Sequence, residues 1–517
     1  MRMKLARIVT FFVVILNVIV LFCIWKLLST LDRGLYDFNQ KTDLPPKSTN
    51  IFSDDSIVTL VIRRFENFDN DVVGTVESFL HLFPNLKVVV ISDVLPYPPF
   101  DFRHFNLSSK VKLLDLELRL TDKFGGRNPL LQIDTKYVLF APDSTRFKSK
   151  RTLSRLIQEL KSGIYKVSAA SFSSRKPAEC LKVRVNVRQW YIHYAPSTDN
   201  VCEAVTGKHV LLIDRQLLEN LPAPFLLPFP EALYIQSSAR NVKVKLIHGE
   251  TVTDGKPLFR SQHLLQKVEQ LEAARRQQMF RQFGIKQVIR ETGVTEWYGC
   301  TRETPRCFGT VVNDMPEYLW QGRWTPPCCL AGLRRTALHV FKRLEQDGVR
   351  YWLEGGTLLG AMRSGDILPW DYDVDIGVLR DDLHLSPWLS GARLQPVIDE
   401  DGFVWEKARE GDFFRVQYSP VNHLHVDIFP FYSKNGTMTK DTWFPTHKQD
   451  REFPEHFLKP LSTIEFIGRK VSAPNNIRDF LELKFGKGAV ENPEYPDPKR
   501  LKFSLNEEQN YLTVPEN

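Results

Sequence analysis

Residues Glu354–Val378, which read EGGTLLGAMRSGDILPWDYDVDIGV, decide the fold of the C-terminal half of the chain. The stretch opens with the glycine turn Gly355-Gly356-Thr357 and closes with an acidic run, Asp371-Tyr372-Asp373-Val374-Asp375. Side chains on a β-strand alternate between its two faces. The pattern therefore predicts a strand with three carboxylates on one face and apolar side chains on the other.

Three carboxylates on one face predict a metal centre. Like charges this close repel one another, and burying them without a partner costs free energy. A hard divalent cation, Mg²⁺ or Mn²⁺, removes that cost because it binds carboxylate oxygens and commonly substrate phosphate as well. The alternative is a solvated acidic edge strand, but the apolar Val374, Ile376 and Val378 favour a half-buried one. We expect the metal ligands to be Asp371, Asp373 and Asp375.

A second acidic strand supports this interpretation. Residues Asn422–Tyr432, NHLHVDIFPFY, form an apolar run that carries one acid, Asp427. The period of two places His423 and His425 on the same face as Asp427, where we interpret them as core or supporting residues. The predicted catalytic acids are Asp371, Asp373, Asp375 and Asp427.

The order of these motifs resembles the nucleotidyltransferase-type fold, in which the glycine turn admits a nucleotide phosphate and the acids hold the metal. Within that group, residues 297–495 resemble the LicD family of phospho-sugar-alcohol transferases. The matching stretches are CFGTVV, WTPPCC, RYWLEGGTLLGA, PWDYDVDIG, GFVWEKAREGDFFRVQYS, NHLHVDIFPFY and PNNIRDFLELKFG. A match of this length is more specific than a single motif.

The resemblance implies a reaction. It predicts transfer of ribitol 5-phosphate from CDP-ribitol to an O-mannosyl glycan that already carries one ribitol phosphate, as on α-dystroglycan. An acceptor hydroxyl would attack the phosphorus next to ribitol, and CMP would leave. Asp427 would either complete the metal shell or take the acceptor proton.

The resemblance also implies a donor site. Glycines in the turn leave room for backbone N–H groups to approach a phosphate. Arg363 is the favoured partner of the diphosphate, ahead of Lys407, Arg409 and Arg415, although each of these is equally compatible with a solvated surface charge. The predicted CDP-ribitol-binding residues are Gly355, Gly356, Arg363, Trp370, Asp371, Tyr372, Asp373, Val374, Asp375, Gln449, Asp450, Asn492, Pro493 and Glu494.

Three other functions stay open at this point. The same fold catalyses nucleotidyl transfer, which releases pyrophosphate, and a LicD-type enzyme with another donor such as CDP-choline is a second alternative. A glycan-binding scaffold without activity is the third. The chain of 517 residues has a net charge of +8 without a block of Lys and Arg, so we predict no nucleic-acid partner.

The N-terminus predicts a membrane anchor. Residues Ile8–Trp25 are 18 consecutive residues without a charge, about the minimum for a bilayer span. Arg2, Lys4 and Arg7 precede them, which by the positive-inside rule places residues 1–7 in the cytosol and the rest in the lumen. A cleaved signal peptide is the alternative, but no small-residue cleavage site follows. By analogy with Golgi glycosyltransferases, we expect a single-pass type II protein of the Golgi membrane.

After a linker at residues 26–56, the sequence predicts an α/β stem domain at residues 57–284. Alternating strands and a helix, Ile57–Ile62, Val72–Phe83 and Leu86–Ile91, imply a parallel unit. Further strands are predicted at Val111–Leu120 and Thr135–Phe140. The segment after Phe140 resembles the metal-binding Asp-x-Asp of glycosyltransferases, but only Asp143 remains. We therefore predict a glycosyltransferase-like domain that has lost catalysis and binds acceptor or holds subunits together.

Further expectations concern the oxidising compartment. Cys180 and Cys202 are predicted to form a disulfide. Asn106 and Asn435 lie in glycosylation sequons, the second at a predicted hairpin tip.

A long helix is predicted at Ser261–Phe283. We expect it to pack between domains or to mediate self-association, and we expect a homo-oligomer.

Four more cysteines precede the acidic motif, within residues 300–329 of a catalytic domain predicted at 285–517. Two disulfides explain them, but adjacent cysteines would then both need partners in one tight loop. Four converging thiolates suit tetrahedral Zn²⁺, and the family resemblance implies such a structural zinc loop. The predicted ligands are Cys300, Cys307, Cys328 and Cys329. Near the C-terminus, Asn475 and Asn476 are predicted to cap a helix at Ile477–Phe485.

Overall fold

A computed structural model describes residues 54–102, 110–117, 128–173, 177–306, 308, 311–312, 315–444, 447 and 449–492. The predicted anchor at residues 8–25, most of the linker and the sequon at Asn106 lie outside these residues. Among the residues that the structure describes, no helix combines the length and the apolar composition of a membrane span. The fold is mixed α/β, as the sequence predicts.

The first part of the described chain is built on a large, mostly buried sheet. Its strands are β1 (Val58–Ile62), β2 (Lys87–Ser92), β3 (Val111–Asp115), β4 (Tyr137–Phe140), β5 (Thr145–Phe147), β6 (Val167–Phe172), β9 (Val201–Cys202), β11 (His209–Asp214) and β12 (Val244–Asp254). The order is β3-β2-β1-β4-β11-β6-β12-β5, with β9 beside β12. Its helices are α1 (Val72–Leu82), α2 (Arg151–Lys161), α3 (Arg215–Glu219) and α4 (Glu231–Ser238).

The predicted parallel unit is present. β1 pairs in parallel with β2 and with β4, and all five residues of β1 are buried. A strand buried on both faces reads as a continuous apolar run, which explains the sequence of this segment. The strand predicted at Val111–Leu120 is shorter than expected, because β3 ends at Asp115 and residues 118–120 lie outside the described ones.

A second sheet in this part has the strands β7 (Cys180–Asn186), β8 (Tyr191–Pro196), β10 (Ala204–Val205), β13 (Gln287–Ile289) and β14 (Thr295–Trp297). Their order is β10-β7-β8-β13-β14. A disulfide between Cys180 on β7 and Cys202 on β9 links this sheet to the large one. The domain boundary predicted at residue 284 therefore falls just before two strands that complete this sheet.

The long helix α5 (Gln262–Gln282) agrees with the prediction to within one residue at each end. Ser261 caps it, since its side chain accepts a hydrogen bond from the backbone N–H of Leu264. Only Met279 and Phe280, in the last turns, are buried. The earlier turns are largely exposed, including Leu265 at 43%.

The predicted catalytic domain is organised around a sheet with the strands β17 (Tyr351–Leu353), β18 (Val374–Leu379), β19 (Val397–Ile398), β20 (Val404–Lys407), β21 (Phe414–Gln417), β22 (His425–Lys434), β23 (Thr437–Thr439) and β24 (Phe453–Pro454). Their order is β17-β18-β22-β21-β20-β19, extended through β22 by β23 and β24. Short hairpins add β15 (Val311–Val312), β16 (Met315–Pro316), β25 (Ser462–Phe466) and β26 (Arg469–Ala473). The helices are α6 (Glu317–Trp320), α7 (Pro327–Gln346), α8 (Gly355–Ser364), α9 (Pro387–Ala392) and α10 (Ile477–Phe485).

The predicted caps of α10 differ from the structure. Asn476 occupies the N-cap position, but its side chain donates to Asp479 and caps no backbone N–H. Asn475 instead donates to the carbonyls of His456 and Pro460.

Asn435 lies at a hairpin tip, as predicted. It is exposed at the turn between β22 and β23, where it and Gly436 have positive φ angles.

The cysteine cluster is disulfide-bonded in the structure. Cys300 is joined to Cys328, and Cys329 is also disulfide-bonded. A disulfide sulfur is not a thiolate, so these residues, as paired, do not fit zinc. The structure thus corresponds to the disulfide alternative. Cys307, the remaining predicted ligand, lies outside the described residues.

Candidate active site

The acids of the first motif are not all on a strand, so that part of the sequence prediction is wrong. β18 begins at Val374, and Asp371 and Asp373 lie in the loop before it. A turn in which the N–H of Asp371 donates to the carbonyl of Leu368 at 3.0 Å bends the chain there. The N–H of Asp375 donates to the hydroxyl of Thr357 at 2.8 Å, which fixes the start of β18 against α8.

Neighbouring strands place a row of charged residues across the sheet. Asp375 is the register partner of Asp427 on the parallel β22, and Asp427 is the partner of Arg415 on the antiparallel β21. At the other end, the N–H of Glu354 donates to the carbonyl of Asp375 at 3.0 Å. Register partners project from the same face of a sheet. The row therefore brings the two acidic motifs of the sequence together.

Electrostatics couples the predicted metal ligands. Burial and the charge of Asp375 raise the pKa of Asp371 to about 7. Burial, then the charges of Asp371 and Asp427, raise the pKa of Asp373 well above its usual value. Burial and the charges of Asp373 and Asp427 do the same to the pKa of Asp375. The carboxylates repel one another, as the sequence predicts.

Asp427 differs from the other three acids because it has a cation of its own. Arg415 Nε donates to Oδ1 at 2.8 Å and Nη2 donates to Oδ2 at 3.1 Å. Although burial lowers the pKa of Arg415, its bonds to Asp427 raise it overall. Both oxygens of Asp427 are thus bound by a permanent positive charge.

The glycine turn forms the start of helix α8 and not a separate loop. Gly355 has a φ of +52°, and Gly356 follows in the first helical turn. A Cβ atom at Gly356 would lie 2.9 Å from Oδ2 of Asp371. The absence of side chains therefore lets a helix N-terminus, with its free N–H groups, lie directly beside the acids.

The basic residues predicted for the diphosphate have other partners in the structure. Arg363 donates to the carbonyls of Ala489, Val490 and Asn492. Lys407 forms an ion pair with Asp412 at 2.7 Å. Of these candidates, Arg415 binds one of the acids, Asp427, and contact of any of them with a diphosphate stays a prediction.

The other residues predicted to bind the donor differ in their burial. The side chain of Val374 is fully buried in the core, so a contact through that side chain is excluded. Trp370 and Tyr372 are half-buried, and the Tyr372 ring lies 5.9 Å from that of Phe308. Asn492 is exposed, while Pro493 and Glu494 lie outside the described residues.

The two predicted histidines have structural partners. Burial lowers the pKa of His425, whose Nδ1 lies 2.9 Å from the carbonyl of His423. His423 is hydrogen-bonded to Gln417. These contacts agree with the supporting role that the sequence suggests.

Two buried lysines were not predicted. Lys440 pairs with Asp450 at 2.8 Å and its side chain is 4% exposed. Lys484 pairs with Glu354 at 2.6 Å and its side chain is 1% exposed. Lys484 lies one turn after the buried Phe480, so the apolar face of α10 gave a signal for it.

These ion pairs leave the three acids of the first motif without a paired cation among the described residues. Among the described residues, the neighbouring cations are committed elsewhere: Arg415 to Asp427, Lys440 to Asp450 and Lys484 to Glu354. Asp371, Asp373 and Asp375 thus offer repelling carboxylate oxygens, the donor type that Mg²⁺ prefers. Their chemistry fits a divalent cation. No three such side chains in the described ranges are close enough together to form a finished ligand shell.

Comparisons with known proteins cover most of the chain. The model of the fukutin-related protein stem domain matches residues 45–291, and that of the LicD/FKTN/FKRP nucleotidyltransferase domain matches residues 348–476. Ribitol 5-phosphate transferase FKRP from Mus musculus is 47% identical over 449 residues, which cover 86% of this chain and 90% of the relative. The Homo sapiens protein of the same name gives the same figures. Ribitol-5-phosphate transferase FKTN from Homo sapiens is 28% identical over 151 residues, 28% of this chain and 30% of the relative.

Proposed function

The chain belongs to the family of fukutin-related proteins and is a ribitol 5-phosphate transferase, and from that premise we propose its donor, acceptor and catalytic residues. The donor is CDP-ribitol, and the acceptor is an O-mannosyl glycan that already carries a ribitol phosphate, as on α-dystroglycan. The observation that carries this proposal is the cluster of Asp371, Asp373 and Asp375 at the N-terminus of α8.

In the proposed reaction, an acceptor hydroxyl attacks the phosphorus attached to ribitol. The new bond joins that oxygen to phosphorus, and the bond to the CMP oxygen breaks. The free N–H groups at the start of α8 bind phosphate oxygens, supported by the positive end of the helix dipole. Positioning of this kind supplies most of the catalysis in phosphoryl transfer.

Asp371, Asp373 and Asp375 would hold Mg²⁺ or Mn²⁺, which when bound neutralises the charge of the diphosphate and of the leaving group. The ion pair with Arg415 engages both carboxylate oxygens of Asp427. This favours a role for Asp427 in completing the charged site over a role as proton acceptor.

The product distinguishes this reaction from nucleotidyl transfer. The purified full chain would receive CDP-ribitol and a ribitol-phosphorylated glycopeptide, and the released nucleotide would be identified. CMP together with a mass gain of one ribitol phosphate on the glycopeptide supports the proposal. Pyrophosphate formed from CTP supports the nucleotidyltransferase alternative. Turnover of CDP-choline in competition would indicate a different donor, and binding without turnover would indicate a scaffold.

We also propose that the chain is a single-pass type II protein of the Golgi membrane with a luminal catalytic part. The disulfide between Cys180 and Cys202 suits an oxidising compartment. The exposed hairpin position of Asn435 suits glycosylation. A glycosidase-sensitive mobility shift that disappears in Asn435→Gln tests this topology. Self-association through the exposed part of α5 is a further proposal, tested by light scattering.

A structural zinc ion on Cys300, Cys307, Cys328 and Cys329 stays a separate proposal. Its support is that the chain brings Cys300 and Cys328 together, but zinc requires them to be reduced. Metal analysis and thiol titration of the unfolded chain decide between the two forms. About one zinc per chain with free thiols supports the site, and no zinc with intact disulfides rejects it.

A further inference from the structure

Trp190 has an unusual backbone conformation. It ends the turn between β7 and β8 with a φ of 61°, in the left-handed region that bulky residues rarely adopt. Such strain persists only where surrounding contacts impose it, and it is concentrated at functional positions. Its side chain is nevertheless 8% exposed, and it lies in the hydrophobic core of the catalytic part and not in that of its own sheet.

The turn that Trp190 closes holds the segment before helix α7. Trp190 Nε1 donates to the carbonyl of Trp324 at 2.7 Å, and the N–H of Trp324 donates to the carbonyl of Arg188 at 2.9 Å. The guanidinium of Arg323 lies 3.3 Å from the centre of the Trp190 ring, and its Nε donates to the carbonyl of Val187 at 2.9 Å. Both backbone polar groups of Trp324 are therefore bound by the stem.

The next residue binds the acidic loop. The N–H of Thr325 donates to the carbonyl of Pro369 at 2.9 Å, and its hydroxyl donates to the carbonyl of Asp371 at 2.6 Å. Thr325 is 2% exposed, and its hydroxyl also lies 2.9 Å from that of Tyr318. Two consecutive residues, Trp324 and Thr325, thus connect the stem turn on one side with Asp371 on the other.

We propose that Trp190 and Thr325 are positioning residues through which the stem sets the geometry of the Asp371–Asp373 loop. The assignment rests on the proposed function of that loop as the metal-binding part of the active site. Loops lose their geometry readily unless other groups hold them, and two hydrogen bonds from Thr325, to the carbonyls of Pro369 and Asp371, restrict this one. The stem then contributes to catalysis without contacting the substrate through this turn.

A connection that only holds the domains together would change stability alone. The test therefore measures Mn²⁺ affinity by electron paramagnetic resonance, in addition to kcat, KM and the free energy of unfolding. The variants, made in the full chain, are Thr325→Val, which loses the hydroxyl at nearly constant shape, Thr325→Ser, which retains it, and Trp190→Phe, which retains an aromatic ring. Ser238→Ala is the matched control, because it removes a buried hydroxyl bond of 2.8 Å to Val183 within the stem.

Loss of one such hydrogen bond is expected to weaken Mn²⁺ binding about fivefold in Thr325→Val. Thr325→Ser should retain the Mn²⁺ affinity of the unsubstituted chain, and Trp190→Phe should lower the affinity as Thr325→Val does. The double variant with Thr325→Val and Trp190→Phe should lose less Mn²⁺ affinity than the product of the two single effects. Ser238→Ala should lose stability with unchanged Mn²⁺ affinity.

Unchanged Mn²⁺ affinity in folded Thr325→Val and Trp190→Phe would overturn the inference, as would an equal loss in Ser238→Ala. If Thr325→Val does not fold, Trp190→Phe and Thr325→Ser carry the same comparison. Failure of the proposed function of the loop is distinguishable, since Asp373→Ala would then bind Mn²⁺ as tightly as the unsubstituted chain.

Discussion

Arg415 and Asp427 face each other on adjacent antiparallel strands, and the guanidinium of Arg415 binds both carboxylate oxygens, at 2.8 and 3.1 Å. Asp427 is in turn the register partner of Asp375. Asp427 therefore has a permanent counter-charge, while no cation of the described residues forms an ion pair with Asp375. This asymmetry divides the four acids into a paired one and three that need a cation.

Arg415→Met should destabilise the fold and abolish transfer, because it leaves Asp427 buried beside three other carboxylates. Removing one partner of a buried pair costs about 3 kcal/mol or more. Arg415→Lys keeps the charge but loses the two-pronged geometry, so we expect intermediate stability and reduced kcat. Denaturant unfolding and steady-state kinetics measure both. Equal stability of Arg415→Met and the unsubstituted chain would show that the pair is not structural.

Gly356→Ala should lose activity while the fold is retained. The added methyl group would lie 2.9 Å from Oδ2 of Asp371 and in the space proposed for phosphate. Gly391→Ala in α9 is the control, since it is also a helical glycine, with its nearest neighbour, Val397, at 3.3 Å. We expect kcat/KM to fall by about a hundredfold or more only in Gly356→Ala. Similar activity in both variants would exclude close phosphate approach at this turn.

Lys484→Met should destabilise the catalytic part by about 3–5 kcal/mol, because Glu354 is then left buried without its cation. Adding Glu354→Gln should recover a large part of that loss, since no uncompensated charge remains. A double-mutant cycle of unfolding free energies measures this coupling. Additive losses in the double variant would mean that the ion pair does not account for the effect.

Acid should weaken the packing of α7 against β20 through Asp399. Burial alone would raise the pKa of Asp399, but hydrogen bonds from His339, Trp405 and the N–H of Phe403 lower it to about 2. The unfolded value is about 3.9, so this stability is fully present above about pH 4 and is lost as the pH falls towards 2. The difference in unfolding free energy between the unsubstituted chain and Asp399→Asn should shrink below about pH 4. A difference that is constant between about pH 6 and 3 would contradict the assignment.

Local patterns in the sequence predict elements well where one face is apolar. The helix Ile477–Phe485 has the predicted bounds, and α5 agrees to within one residue at each end, because short-range periodicity and flanking breakers determine them. The acidic run failed as a strand, since a hydrogen-bonded turn from Leu368 to Asp371 overrides the alternation. Strand alternation in the sequence does not reveal such a turn.

Long-range partners were not predictable in the same way. Arg363 donates to carbonyls more than a hundred residues away, and the pairing of Arg415 with Asp427 depends on strand register. The buried lysines at 440 and 484 are recognisable only when their acids, Asp450 and Glu354, are placed beside them. Residue types and the order of the motifs were enough to indicate the acids. The cations that pair with acids could be identified only from the folded structure.

The central claim is that the acids beside α8 catalyse metal-dependent ribitol phosphate transfer. The most direct test is CMP release by the purified full chain given CDP-ribitol and a ribitol-phosphorylated glycopeptide, with and without EDTA, alongside Asp373→Ala. We predict CMP release matched by a mass gain on the glycopeptide, lost in EDTA and in a folded Asp373→Ala variant. Undiminished release by Asp373→Ala, or release insensitive to EDTA, would contradict the account.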